Sequence, residues 1–359
     1  MYYLFPIILI VIMLSKNKRF TNLAFILFGI FFIIRFPMGQ DIPAYAYFIE
    51  AAPSTPTFGH GRFFFTDLYY SIFAWISRNP TFFLFTNTLL CCLLIFYTIK
   101  KESYNIALSC FLFATSGYAQ VYLQSGIRQA LVMAVFLFAF YKYLLHEDYW
   151  KYALCILLVA TYHDSALLLL MTIPLKKYLP FFSNKLLVIL TSIALVLGLI
   201  VVPLIMPYMD FIGWYYEYLS RYSISIMGVG LQVVQILIIV FLYKLSGKNN
   251  DLNYRLPLVL NCLTFAIYLL FIGYPLVSRI CDLVQIVNLI FIPKLLTGIM
   301  DTRVKIFFTL SIVCLNCFLL FADVTSSICA MNPINNVQII NYPYDTVFTY
   351  NYHDIGDLY

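Results

Sequence analysis

The chain has 359 residues, of which 63% are hydrophobic and only 11% charged, against about 45–50% and about 25% in a soluble domain. These proportions exclude a soluble enzyme, a disordered protein and a single-span anchor, and they predict an all-α polytopic membrane protein. The net charge of +6 is small and scattered along the sequence, which excludes the concentrated basic footprint of a nucleic-acid-binding protein.

Apolar runs occupy 2–14, 20–34, 81–99, 104–123, 130–145, 152–175, 186–206, 226–243, 256–272, 283–296 and 306–321. A spanning helix takes about 20 residues, so the runs predict about 10–12 transmembrane helices within a single integral membrane domain, 1–359. No basic residue precedes the first run and no small-residue cleavage site follows it, so it reads as a membrane helix and not as a removable signal. The stretch 63–77 is more polar, with Asp67 at one end and Arg78 just beyond it; it is expected to lie on the membrane surface or dip into it. In the run 152–175 the quartet Tyr162-His163-Asp164-Ser165 interrupts the apolar pattern, and the segment is expected to enter and return as a broken hairpin.

The positive-inside rule orients the chain. With residues 15–19 placed in the cytoplasm, all thirteen lysines fall inside, together with Arg19, Arg255 and Arg303, against five acidic residues. The outer side then holds six arginines (Arg35, Arg62, Arg78, Arg128, Arg221 and Arg279) and eleven acidic residues. Both termini fall outside in this threading. The long extracytoplasmic segments are 39–80, 207–225 and 323–359, the latter two rich in aromatic residues such as Trp214, Tyr215, Tyr216, Tyr342 and Tyr350. Cytoplasmic loops are short and basic, so any chemistry is expected on the outer face.

Arginine never deprotonates, and its planar fork of donors grips phosphate oxygens. Arg35, Arg128 and Arg279 stand at the outer ends of apolar helices, where an unpaired charge is costly and usually faces a cavity or a partner; snorkelling to outer headgroups is the plain alternative. His163, flanked by Asp164 and Ser165 in mid-run, suits a general base or a proton-sharing hydrogen bond, the alternative being a satisfied histidine in a helix break. His60, His146 and His353 carry less, and His146 lacks the spacing of a zinc helix. The nine cysteines read as small buried hydrophobes, including the C-x-x-C pair Cys314 and Cys317. There is no phosphate-binding lysine loop, no G-x-S-x-G elbow and no paired-histidine motif, so no metal or cofactor is expected.

Three elements in order carry a family resemblance. Arg35-x-x-x-Gly39-x-Asp41-x-x-x-Tyr45 resembles the N-terminal signature of the EpsG-like family of bacterial polysaccharide polymerases, relatives of the Wzy-type O-antigen polymerases. Ser125-Gly126-Ile127-Arg128-Gln129-Ala130 is similar to that family's I-R-Q helix start, and Ala160-Thr161-Tyr162-His163-Asp164-Ser165-Ala166 to its A-x-x-x-H-x-S-A element. Arg279, before Leu283, resembles a late family arginine. The likeness covers roughly 1–299. Pro43 in the first motif and Cys281-Asp282 after the late arginine depart from the pattern.

The resemblance implies a glycosyltransferase of the bacterial inner membrane. Such an enzyme moves a glycan from undecaprenyl pyrophosphate to the non-reducing end of a lipid-linked repeat unit at the outer face. The leaving pyrophosphate would be held by Arg128 and Arg279, helped by Arg35 and Arg221, without a metal. His163 would be the base, with Asp41 as runner-up, and Gln129, Tyr45 and Ser165 would position these groups. The expected partners are the undecaprenyl-pyrophosphate-linked oligosaccharide, the bilayer, and a flippase and chain-length regulator of the same pathway. Three other readings stay open: an O-antigen ligase-like transferase, a flippase or transporter of lipid-linked oligosaccharide, and a membrane acyltransferase.

Overall fold

The computed structural model describes residues 4–15, 17–34, 41–53, 55–57, 64–205, 226–248 and 251–329. Among these residues every regular element is helical, and six helices, or up to seven with one bent pair counted as a span, are long and apolar enough to cross a membrane. The chain is an all-α polytopic membrane protein. The expectation of ten to twelve spans also counted runs that form helices of only 10–12 residues, namely 4–13, 106–115 and 149–160. The chain divides into two compact units, Met1–Leu167 with Ser311–Tyr359, and Leu168–Leu310.

The first unit contains α1 (Leu4–Met13), α2 (Lys18–Ile34), α3 (Ile42–Ala51), α4 (Phe64–Ile76), α5 (Pro80–Glu102), α6 (Ile106–Thr115), α7 (Ile127–Ala139) and α8 (Tyr149–Ala160). Their starts follow the side chains available. Asn79 caps α5 through a bond from the Thr81 N–H (2.9 Å), with Pro80 at the first helical position, and Asn105 caps α6 through the Leu108 N–H (3.1 Å). Lys100 and Lys101 close the last turn of α5, where cations suit the helix dipole.

Phenylalanines from α2, α5 and α6 form the centre of this unit. Phe32 and Phe96 lie 4.9 and 5.1 Å from Phe113 between ring centroids, and Phe28 lies 5.8 Å from Phe96. Gly29 lets the Phe96 ring approach, since a Cβ there would meet it at 3.3 Å. Cys91, Cys92 and Cys110 are fully buried, as expected of small hydrophobes.

The run 104–123 does not make one helix. It breaks at Ser116-Gly117, and the freed carbonyls find side-chain donors: Ser116 Oγ reaches the Phe113 carbonyl at 2.7 Å, and Gln120 Nε2 the Ala114 carbonyl at 2.6 Å. Internal satisfaction of this kind permits irregular backbone in an apolar segment. The run 152–175 breaks where the polar quartet predicts: α8 stops at Ala160, and a 3-10 helix begins at Asp164. The polar stretch 63–77 forms the 13-residue α4, shorter than a span.

The second unit contains α9 (Thr172–Lys177), α10 (Asn184–Val196), α11 (Val202–Ile205), α12 (Ile226–Leu245), α13 (Leu252–Leu270), α14 (Pro275–Gln285) and α15 (Asn288–Gly298); the final helix, α16, is Thr302–Cys329. The predicted run 283–296 misplaces the helices here. α14 starts earlier, at Pro275, and the pair 277–285 and 288–298 is bent by 50°. α16 also continues into 323–329, the start of the expected outer tail.

Only 17% of the segment 184–201 and 6% of the segment 302–320 is buried inside the protein. Such apolar, outward-facing helices require hydrocarbon as their solvent. Cys314 and Cys317 lie exposed on α16, and so are not the buried hydrophobes expected of them.

Two contacts hold the second unit's helices in register. Asn261 and Asn288 exchange amide hydrogen bonds of 2.9 and 2.8 Å, the kind of polar link that joins helices in lipid. Gly198, just past α10, lies so close to α13 that an added Cβ would meet the Leu269 carbonyl oxygen at 2.0 Å. Gly198→Ala is therefore expected to lower stability by about 3 kcal/mol, read as a fall in the thermal unfolding midpoint in detergent. A wild-type midpoint would contradict this packing.

Candidate functional site

Within the first unit, the two ends of the helices differ in chemistry. At one end Lys100 Nζ donates to Asn22 Oδ1 (2.5 Å), and Lys101 and Lys142 line one shallow cavity with Tyr97, Thr98, Glu102 and Phe138. Lys142 Nζ sits 4.8 Å from the Phe138 ring centre. Lys151 pairs with Asp148 at 2.6 Å and, through that hydrogen bond, holds the Asp148 carboxyl below its usual range. At the other end of α5, Phe83 packs against Tyr45 and Tyr70. Phe83 and Lys100 are separated by about 25 Å of helix, close to the thickness of a bilayer core.

Arg128 lies at this second end, in the first turn of α7. A cation at a helix start opposes the helix dipole, so α7 gains nothing from it locally. The side chain is half-buried and bonds to Tyr45, whose hydroxyl accepts from both the guanidinium and the Arg128 backbone N–H. The Arg128 Cζ lies 5.9 Å from the Tyr45 ring centre. Burial pushes the Tyr45 phenol above its ordinary pKa, and the neighbouring guanidinium pulls in the opposite direction. Arg128 Nε is buried and has no hydrogen-bond partner. Among the described residues no carboxylate forms an ion pair with Arg128.

The first and second sequence motifs meet here. The Asp41 backbone N–H donates to Ser125 Oγ at 3.2 Å, three residues before Arg128, and α3 carries Tyr45 from there to the guanidinium. The Asp41 side chain is exposed and makes no capping bond to α3. Gln129 follows Arg128 and is buried.

The third motif arrives through Tyr162, which lies at the break after α8 within electrostatic reach of Arg128 and packs at a 37° tilt against Tyr69 of α4, with ring centroids 4.1 Å apart. His163, the next residue, is half-buried in the break, and Ser165 Oγ is buried without a partner. Five predicted site residues (Asp41, Tyr45, Arg128, Gln129 and His163) thus belong to one end of one unit, with Ser165 two residues beyond His163.

Arg279 belongs to the second unit and is exposed on α14. Cys281, two residues on, donates to the Thr264 carbonyl at 3.5 Å, which sets Arg279 beside the last third of α13. At the start of α13, Lys176 reaches Asn253 (3.1 Å) and Arg255 Nη2 the Phe182 carbonyl (2.6 Å). Arg279 therefore stands away from its unit's other basic contacts. Arg35, Arg62, Arg221, His60, His353 and the aromatic residues of 207–225 and 341–352 lie outside the described residues.

The sequence reading missed Tyr69, Tyr70 and Asn87. Asn87 is fully buried in α5, where its Nδ2 donates to the Phe83 carbonyl (2.8 Å), and Tyr69 donates to its Oδ1 (3.4 Å). A lone asparagine in a long apolar run was the available signal. Among the described residues no three His, Cys, Asp or Glu side chains come together as a metal site.

Residues 1–344 match the model of the EpsG family. No curated protein matches the chain, and no solved structure does.

Proposed function

The chain belongs to the EpsG family, and from that membership we propose that it is a repeat-unit polymerase acting on glycans carried by undecaprenyl pyrophosphate at the outer face of the bacterial inner membrane. In the reaction, the bond between the sugar's anomeric carbon and the lipid diphosphate breaks. A new bond forms from that carbon to a hydroxyl at the non-reducing end of a second lipid-linked unit. The hydroxyl proton passes to a base, and the lipid diphosphate departs carrying the negative charge.

One observation carries this reading. Arg128 is a partly buried cation with an unpartnered Nε and no carboxylate in an ion pair with it among the described residues, at the end of its unit opposite the lysines. Holding an uncompensated charge there is expensive, and an anionic ligand offsets the expense. A departing diphosphate is such an anion, and its charge grows in the transition state, where fixed donors contribute most to rate. By the family resemblance, Arg279, Arg35 and Arg221 are further pyrophosphate-binding residues in this proposal. His163 is the base that takes the acceptor proton, with Asp41 as the alternative, while Gln129, Tyr45 and Ser165 hold these groups in place. The lysine end of the first unit faces the cytoplasm under the positive-inside rule. A flippase delivers the lipid-linked units, and a chain-length regulator acts with the polymerase.

The test uses cells deleted for the gene and complemented with wild type or Arg128→Ala. Loss of the surface glycan ladder, with single lipid-linked repeat units accumulating on the outer face, is the expected result for Arg128→Ala. Accumulation confined to the cytoplasmic face would identify a flippase instead.

A further inference from the structure

Two tyrosine hydroxyls beside Arg128 lack an explanation in the fold. Tyr70 and Tyr162 are 4% and 3% exposed, and neither hydroxyl has a hydrogen-bond partner. A buried hydroxyl normally finds one, because leaving it unmade costs the full desolvation of the group. Both rings are held firmly by packing: Tyr70 stacks on Phe48 (5.2 Å between centroids), and Tyr162 packs at a tilt against Tyr69 (4.1 Å). The packing of α4 is fixed further by Ser71, which is fully buried and accepts from the Thr57 backbone N–H at 3.0 Å.

The two hydroxyls and the unpartnered Arg128 Nε are not scattered. Tyr45 and Tyr70 both pack on the Phe83 ring (6.2 and 5.5 Å between centroids), and Tyr69 joins Phe83 to Tyr162 (6.3 and 4.1 Å). The guanidinium lies 5.9 Å from the Tyr45 ring centre and within electrostatic reach of Tyr70 and Tyr162. These three tyrosines come from α3, α4 and the break after α8, so separate parts of the chain bring unspent donors to the first turn of one helix. Tyr45 is already used, as acceptor from Arg128. What remains is a set of N–H and O–H donors at a helix N-terminus, the arrangement that suits an anion with several oxygens.

We infer that the hydroxyls of Tyr70 and Tyr162, together with the Arg128 guanidinium, form the donor set of one phosphoryl-binding pocket that takes the diphosphate of a lipid-linked glycan. This rests on the reading of Arg128 as a diphosphate ligand and adds the residues that complete its pocket. Arg128 is only partly buried, so the anion meets the guanidinium first, and the tyrosines donate by turning their O–H bonds while their rings stay packed. Their role is binding and positioning, since a phenol donating to a phosphoryl oxygen takes no proton from the reaction.

The test follows thermal unfolding of the purified full chain in detergent, with inorganic pyrophosphate as the probe and no divalent cation present. Tyr70→Phe/Tyr162→Phe keeps both rings and removes both hydroxyls. Because those hydroxyls have no partner in the empty protein, the double variant is expected to unfold at or above the wild-type temperature without pyrophosphate. It is also expected to bind pyrophosphate at least about tenfold more weakly, as loss of a hydrogen bond to a charged group implies. Arg128→Ala is the control. If it loses pyrophosphate binding while the double variant keeps wild-type affinity, the tyrosine assignment is overturned and the reading of Arg128 stands. If wild type itself binds no pyrophosphate, both fall. A double variant that unfolds well below wild type without ligand would also overturn the inference, because the hydroxyls would then be serving the fold.

Discussion

Arg128→Ala is expected to abolish polymer while leaving the protein inserted in the membrane at near-normal abundance. Removing one preorganised donor from a transition-state site typically lowers turnover about 10²–10³-fold, and a polymer needs many turnovers, so the ladder should disappear altogether. Arg128→Lys is the sharper variant. A lysine keeps the charge, but it replaces a planar fork by a single flexible ammonium. It cannot donate to Tyr45 and to a diphosphate with the same geometry, so a loss of about 100-fold in rate is expected. The measurement is the initial rate of chain growth on lipid-linked repeat units, with membrane abundance followed in parallel. A lysine variant with wild-type rate would mean that Arg128 supplies charge alone. A fully active alanine variant would remove Arg128 from the site. In Arg128→Ala the Tyr45 hydroxyl loses the guanidinium and keeps only the backbone N–H of residue 128, which is why insertion must be measured beside activity.

The second large effect belongs to the base. Replacing a general base lowers turnover about 10²–10⁴-fold, so His163→Ala should nearly silence chain growth while lipid-linked substrate still binds. Asp41→Asn, which preserves the Asp41 backbone bond to Ser125, should cost less than about tenfold if histidine is the base. The structure gives both residues a place at the Arg128 end of the first unit, since Asp41 is tied to Ser125 and His163 follows Tyr162. The pair of variants therefore decides between them. The reverse order of effects would transfer the role to Asp41.

The parts of this architecture legible in the sequence share a physical cause. Long uniform helices such as α5 and α13 are long apolar runs with a cap, a proline or an aspartate at the start, and composition alone reveals them. The break at Tyr162–Ser165 was legible because four adjacent residues carry polar or ionisable groups inside an apolar run, and a helix there would bury them. The break after α6 was not, because Ser116 and Gln120 satisfy its carbonyls from positions that look like ordinary polar punctuation. α14 was misplaced for the opposite reason. It is an amphipathic helix whose exposed Ser278 and Arg279 interrupt the hydrophobic pattern, so the apolar run begins only at Leu283 although the helix begins at Pro275.

For the site, the spaced motifs named Asp41, Tyr45, Arg128, Gln129 and His163, and the fold gathers these at one end of one unit. Tyr69 and Tyr70 were invisible beforehand because each is an ordinary residue of an aromatic-rich chain. Only the folded arrangement distinguishes them: Tyr69 donates to the buried Asn87 and packs on Tyr162, and Tyr70 holds a buried hydroxyl without a partner.

The most direct test of the central claim is reconstitution of the purified protein in liposomes with one lipid-diphosphate-linked repeat unit as the sole substrate. The expected result is a ladder of lipid-linked products increasing by whole repeat units, with one lipid diphosphate released for each unit joined, and neither in Arg128→Ala liposomes. Repeat units that cross the bilayer without being joined, with no lipid diphosphate released, would contradict it.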